Sequence, residues 1–408
     1  MAANGLATRC CIVGGGPAGM MLGVLLARAG VDVIVLEKYK DFFRDFRGDT
    51  VHPSTLQVLY ELGWLEDFLK IPHDEMTTVG ANVAGRLITV ADFTHLPTHS
   101  KFVAFMPQWD FLNFLAEHGK RYPSFRLLTE TEGTDLIRTG DRVSGVTAKG
   151  PDGEFMIHAE LVVGTDGRHS TIRAAAGFEV ENLGAPMDVL WMRIPKEPTD
   201  PVQPLGTLND GRLLVLIDRT SYWQCAFIIP KGTFERLKAN GLQTLHDEIG
   251  QAVPVLRERC KLIDDWSKVS LLEVRVDRLN LWHRPGVLCI GDAAHAMSPI
   301  GGVGINLAVA DAVASANILA QPLAGGTVSD EVLARIQARR MFPTKVIQGM
   351  QLFIQERAIE PVLQGKVVER PPFPFLLFDH LPYLRRLPAL AIGLGVRPEH
   401  VRTKDAYS

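Results

Sequence analysis

The chain alternates short apolar runs with glycine-rich breaks in a repeated order. Residues 8–13 end in the apolar run Cys10-Cys11-Ile12-Val13 and run into Gly14-Gly15-Gly16-Pro17-Ala18-Gly19. An unbroken apolar run closed by a turn signal predicts a buried strand. Residues 20–28 then follow a helical pattern with Gly30 as its stop. A second apolar run, 31–36, ends at Glu37. The same order returns mid-chain, where 160–164 runs into Thr165-Asp166-Gly167-Arg168 and Ser170 would cap a helix over 171–176. It returns again late. Residues 287–290 end in Gly291-Asp292, a loop follows with Pro299, Gly301, Gly302 and Gly304, and an alanine-rich helix is predicted over 306–318. Between these units lie 79–83, 87–90, 102–106, 189–194, 213–217 and 222–229, bounded by Gly, Pro, Asp and Asn. Such runs predict a mostly antiparallel sheet. Further helices are expected near Ser54 and from Gln108.

Three strand-to-helix units, each delivering an acid or a glycine turn at a strand end, carry candidate chemistry. The first is a dinucleotide fingerprint. Gly14 makes the tight turn, Gly16 lets a pyrophosphate approach the backbone, Gly19 lets helix and strand pack, and Glu37 would hold ribose hydroxyls. In the third, Asp292 can accept from a polyol, while the glycine loop and helix N-terminus suit a delocalised anion. The Asp166-Gly167 pair alone is an ordinary turn signal.

Together these motifs resemble one family, the single-component FAD-dependent aromatic hydroxylases (class A flavoprotein monooxygenases) related to para-hydroxybenzoate and ubiquinone-pathway hydroxylases. The late motif GDAAHxxxPxxGxGxNxxxxDA is complete here, from Gly291 and Asp292 through Asp311 and Ala312. The resemblance implies an α/β (α+β) fold, a Rossmann-like FAD-binding domain interleaved with a mostly antiparallel substrate sheet, and a helical C-terminal tail. It assigns 1–76, 107–178 and 268–365 to the flavin domain, 77–106 and 179–267 to the substrate domain, and 366–408 to the tail. It implies FAD as cofactor, with Gly14, Gly16, Pro17, Ala18, Gly19, Glu37, Lys38, Arg47 (Arg44 second), Gln108, Asp166, Asp292, Pro299, Gly301, Gly302, Gly304, Ile305 and Asn306 around it. NAD(P)H is expected as a transient reductant and O2 as co-substrate, with a C4a-hydroperoxyflavin hydroxylating an electron-rich phenolic, anilinic or polyketide-like ring. Lys38, Lys40 and Arg44 near Glu37 lean toward a phosphate-bearing partner, and the choice between NADH and NADPH stays open. The catalytic candidates are His52, and Arg193, Tyr222 and Gln224 on the sheet. Trp191 and Arg193 share one strand face. Tyr222, Gln224 and Ala226 share one face of their strand and Trp223, Cys225 and Phe227 the other, with nothing to say which faces substrate. His295 is expected to be structural.

Composition is that of an ordinary globular protein, with 46% apolar and 22% charged residues. The net charge of −3 without a basic stripe argues against nucleic acid as partner. Five cysteines in no metal or disulfide spacing suggest a reducing, cytoplasmic setting, and no metal site is expected. Residues 371–396 are aromatic and leucine-rich, but their prolines spoil a long amphipathic helix. Packing on the flavin domain or on a dimer partner is expected there in preference to a membrane surface. A related epoxidase, quinone-pathway hydroxylase or reductase is the alternative activity, and a non-catalytic flavin binder a remoter one. The W-x-W-x-I-P stretch of flavin halogenases does not match 222–230.

Overall fold

The computed structural model describes residues 5–43, 50–83, 85–200, 205–209, 211–219, 221–366 and 373–408. Among them, one sheet has eight strands and a second has seven. The first is built on four neighbouring parallel strands, Val287–Cys289, Gly153–Gly164, Leu6–Val13 and Val33–Leu36, with Phe125–Leu128 added at one edge. Val33–Leu36 and Val287–Cys289 are wholly buried, as a parallel strand covered on both faces must be. Helix Pro17–Arg28 buries every residue from Ala18 to Ala27 between the long core helix Gly304–Gly325 and helix Gln108–Gly119. An apolar window in Ile300–Gly325 is long enough to cross a membrane by length and composition, but 72% of it is buried inside the protein.

The seven-stranded sheet runs Ser270–Leu272, Met187–Pro195, Tyr222–Pro230, Arg212–Asp218, Gly206–Asn209, Thr78–Val83, Arg86–Asp92. All its pairings are antiparallel except that of Gly206–Asn209 with Thr78–Val83. Its two faces follow the period of two along a strand. Leu190, Met192, Ile194, Trp223, Cys225 and Phe227 face the helix Leu242–Ala252 and its neighbours in a separate core. Met187, Val189, Ala226 and Ile228 form the opposite face.

Two strands pair differently from expectation. The run at 102–106 forms strand Val103–Phe105, which joins Thr50–Val51 and Asp74–Met76 in a small sheet of its own. Ser270–Leu272, read with the flavin segment, pairs with Met187–Pro195 in the antiparallel sheet. Both are three-residue strands, too short for periodicity to select a partner.

The last residues strap the ends of helices Pro17–Arg28 and Pro53–Glu61 on the flavin side. Arg28 donates to the Thr403 carbonyl at 2.8 Å, Ala406 N to the Arg28 carbonyl at 2.8 Å, and Val401 N to Glu61 at 2.8 Å. The tail therefore packs on the body of the chain.

Candidate active site

The four parallel strands end side by side, and each end carries one of the sequence signals. Leu6–Val13 delivers the glycine turn, Val33–Leu36 delivers Glu37, Gly153–Gly164 delivers Asp166, and Val287–Cys289 delivers Asp292. The carboxyl ends of such strands form the binding crevice of an open α/β sheet. A cleft of about 710 Å³ begins there and continues along the apolar face of the seven-stranded sheet. Gly14, Gly16, Pro17, Ala18, Glu37, Lys38, Gln108, Asp166, Asp292, Pro299, Gly301, Gly302, Gly304 and Ile305 all line it.

The glycine turn shows a division of labour. Gly14 sits at φ +113°, and a Cβ there would lie 2.5 Å from the Thr165 carbonyl oxygen. A Cβ at Gly19 would lie 1.9 Å from the Gly14 oxygen. Gly19 thus serves packing and does not line the cleft. At Gly16 a Cβ would meet nothing within 4 Å, so its bareness serves no protein neighbour and keeps the cleft floor open. Glu37 accepts from Gly15 N and Tyr39 N, each at 3.1 Å, which fixes its carboxylate beside the turn.

The late loop is built in the same way. Gly302, at φ +62°, packs so closely on Thr50 that a Cβ would lie 2.5 Å from Thr50 Oγ1, which donates to the Gly302 carbonyl at 2.8 Å. The loop then enters the core helix at Gly304, whose first-turn N–H groups have no helical acceptor. Open glycines, first-turn N–H donors and strand-end acids fit a dinucleotide cofactor with an anionic ring edge. Gly14, Gly16, Glu37 and Asp292 would hold its adenosine, pyrophosphate and polyol parts.

Several candidates stand elsewhere or do other work. Asp166 lines the cleft, but its carboxylate accepts from Ser170 Oγ and from Ile172 N at 3.1 Å, capping helix Thr171–Ala175. Burial raises its pKa, against the pull of those hydrogen bonds. Asn306 is turned away: its Oδ1 accepts from His52 N at 2.9 Å and Thr55 Oγ1 at 2.7 Å, so only its backbone N–H remains for a ligand. Arg193, Tyr222 and Gln224 do not line the cleft. Arg193 stacks 5.2 Å from the Tyr222 ring centroid, and Gln224 accepts from Arg219 Nε at 3.2 Å. Their strands do face the cleft, but through Val189, Trp191, Ala226 and Ile228. Arg44 and Arg47 lie outside the described residues.

His52 does line the cleft, at 1% exposure. Its Nδ1 lies 2.8 Å from the Ile392 carbonyl, which can only accept, so Nδ1 carries the proton. Burial, partly offset by that bond, pulls its pKa down to about 4, and the ring is neutral with Nε2 as acceptor. His295 is structural, as expected: its Nε2 donates to Asp311 at 2.6 Å, and Gly291 N at 3.0 Å and Arg340 Nε at 2.8 Å share the same carboxylate. Burial alone would raise Asp311, but His295 and Arg340 outweigh it and hold the carboxyl below its ordinary range.

Ile392, Ile359, Arg168 and His169 also line the cleft and were not among the residues expected there. The first two arrive from segments distant along the chain. The other two directly follow the Asp166-Gly167 turn, and their place beside that motif was the available signal.

The FAD binding domain family matches residues 7–350. A 6-methylpretetramide 4-monooxygenase of Streptomyces rimosus is 30% identical over 393 residues, spanning 96% of this chain and 94% of the relative. A rifampicin monooxygenase of Streptomyces venezuelae is 29% identical, across 86% of this chain and 72% of the relative. Among solved structures, the p-nitrophenol 4-monooxygenase of Pseudomonas putida has the same fold, with a TM-score of 0.78 at 21% identity, covering 96% of this chain and 100% of that one. The anhydrotetracycline hydroxylase of Streptomyces rimosus gives 0.74 at 23% identity, covering 96% and 77%. With its fingerprint, its strand-end acids and its late glycine loop assembled on one cleft, the chain belongs to the FAD-dependent aromatic hydroxylases, flavoprotein monooxygenases that use NAD(P)H and O2.

Proposed function

We propose that the enzyme hydroxylates a polycyclic, polyketide-derived phenol lodged between the flavin end of the cleft and the apolar face of the seven-stranded sheet. The observation that carries this is the wall itself. Val79, Phe93, Val189, Trp191, Val215 and Ile228 line that half, and the charged lining residues among those described, Glu37, Lys38, Glu132, Asp166, Arg168 and Asp292, belong to the strand-end half. A wall of this kind favours a large flat apolar body and disfavours a carboxylate, whose burial without a cation is costly. The relative that acts on 6-methylpretetramide supports the same substrate class.

When bound, FAD supplies the hard chemistry, taking hydride from NAD(P)H and activating O2 for insertion at a ring carbon. The protein's part is positioning, water exclusion and proton handling. The 301–304 loop and the first turn of helix Gly304–Gly325 would face the anionic ring edge with N–H donors. Neutral His52 would accept the hydrogen bond of the substrate hydroxyl through Nε2, raising electron density on the ring, with the Ile392 carbonyl holding its tautomer.

The test is NAD(P)H oxidation by FAD-loaded enzyme with tetracyclic phenols and with hydroxybenzoates, hydrogen peroxide being measured alongside. Faster oxidation with little peroxide for the tetracyclic set supports the proposal. Coupled turnover of a hydroxybenzoate, with none of the tetracycles accepted, refutes it.

A further inference from the structure

Helix Asp330–Ile354 carries a row of three glutamines, Gln348, Gln351 and Gln355, the last just beyond it at the start of the wide turn Gln355–Ile359. All three are 0% exposed. Their spacing of three and four puts them on one face. A buried amide is costly unless its donors and acceptors are met, so the partners of these amides show what the row is for.

Every partner belongs to the segment that leads into the late glycine loop, or to the strand Asp277–Leu279 beside it. Gln348 Nε2 donates to the Asp277 carbonyl at 2.8 Å and the Ala296 carbonyl at 3.1 Å, while its Oε1 accepts from Arg278 at 3.3 Å. Gln351 Nε2 donates to the Ser298 carbonyl at 2.9 Å and the Ile300 carbonyl at 2.8 Å, and its Oε1 accepts from Ser298 N at 3.1 Å. Gln355 Nε2 donates to Ser298 Oγ at 2.8 Å. Ser298 is thus held at its N–H, its carbonyl and its hydroxyl. The segment 296–300 is irregular, and its backbone groups need partners from outside. The glutamines supply them in register, as a neighbouring strand would.

Position matters here because Met297, Ser298, Pro299 and Ile300 line the cleft, and Gly301 and Gly302 follow directly. The wide turn also brings Ile359, one helical turn beyond Gln355, into the wall of the substrate half. Wide turns of this kind recur at functional sites. One helix therefore sets the flavin-side loop and part of the substrate wall together.

We propose that Gln348, Gln351 and Gln355 are positioning residues that fix the 297–302 loop against the flavin ring. They touch neither cofactor nor substrate in this scheme; Gln351 and Gln355 act through Ser298 and Ile300, and Gln348 through Ala296. The inference rests on the flavin occupying this cleft, which the wild-type titration checks separately.

The experiment uses the full-length enzyme with Gln351→Met, which keeps the side chain's length and removes its hydrogen bonds. Apoprotein is titrated with FAD and followed by flavin fluorescence. The FAD-saturated enzyme is then assayed for peroxide released per NAD(P)H consumed. The expected result is FAD binding weaker by about tenfold or more, as for loss of several buried hydrogen bonds, and a rise in the peroxide fraction at saturating FAD. A merely structural role would lower the melting temperature and leave that fraction unchanged. Binding within twofold of wild type together with an unchanged peroxide fraction overturns the proposal, provided wild type takes up FAD; if it does not, the flavin reading itself fails. Should Gln351→Met not fold, Ser298→Ala, Gln355→Met and the double variant decide. A double variant no worse than either single in FAD affinity supports action through Ser298, and strictly additive losses overturn it.

Discussion

Substituting Gly16 by valine separates cofactor binding from folding. Gly16 has φ −74° and ψ −176°, a conformation open to any L residue, and a Cβ there meets nothing within 4 Å. The apoprotein should therefore fold. It should also gain up to about 0.4–1 kcal/mol, because valine restricts the unfolded chain more than glycine does. The added carbons stand in the cleft where the pyrophosphate passes. Overpacking of this kind costs about 1–3 kcal/mol, which is about a 5- to 150-fold weaker FAD dissociation constant. Gly19 is the control: its Cβ would sit 1.9 Å from the Gly14 oxygen and 2.6 Å from Thr165 Oγ1, so Gly19→Val should fail to fold. The assay is fluorescence titration of apoprotein with FAD, beside thermal melts of both apoproteins. A folded Gly16→Val protein that binds FAD within twofold of wild type would refute the reasoning, as would a Gly16→Val apoprotein that melts well below wild type.

Other consequences can be checked with the same protein. Asp292→Ala should weaken FAD binding about tenfold, for loss of charged hydrogen bonds to the polyol; a purified variant retaining full flavin would sink that assignment. His52 has a folded pKa of about 4, below its ordinary 6.5, so it contributes stability above pH 6.5 that is lost as pH falls toward 4, up to about 3 kcal/mol. Chemical denaturation of wild type and His52→Gln at pH 7 and pH 4.5 should show the smaller acid loss in the variant, and equal losses would contradict the neutral, buried ring. All five cysteines are buried, and burial raises Cys10 and Cys289 and pushes Cys11 up to about 12. A thiol reagent should therefore label the native protein slowly and the denatured protein fully; rapid labelling of the native state would count against the packing of these strands.

The flavin-side architecture was legible because its signals are local. A strand, a glycine turn and a helix start are written in consecutive residues, and 14–19, 166–167 and 291–304 each form one such unit. What local pattern could not say is which polar atoms the protein itself would claim. Asp166 caps its own helix four residues on, and Asn306 bonds His52 and Thr55 across more than 250 positions, so neither side chain is left as the fingerprint suggested. The face of strand Tyr222–Pro230 was equally undecidable, since both alternating sets include bulky apolar residues. Only the placement of helix Leu242–Ala252 over Trp223, Cys225 and Phe227 leaves Ala226 and Ile228 for the cleft. Arg193, Tyr222 and Gln224 share the right face at the wrong end of their strands. The tail's prolines argued against a long amphipathic helix, but nothing in its sequence announced that Ile392 would both line the cleft and hold the His52 tautomer.

The most direct test is the absorbance spectrum of the purified protein, taken before and after adding FAD and passing through a desalting column, and followed by NAD(P)H oxidation with a tetracyclic phenol. A retained flavin band and substrate-stimulated oxidation with hydroxylated product are the predicted result. A protein that returns from the column without flavin, after FAD has been supplied in excess, would contradict the assignment of this cleft.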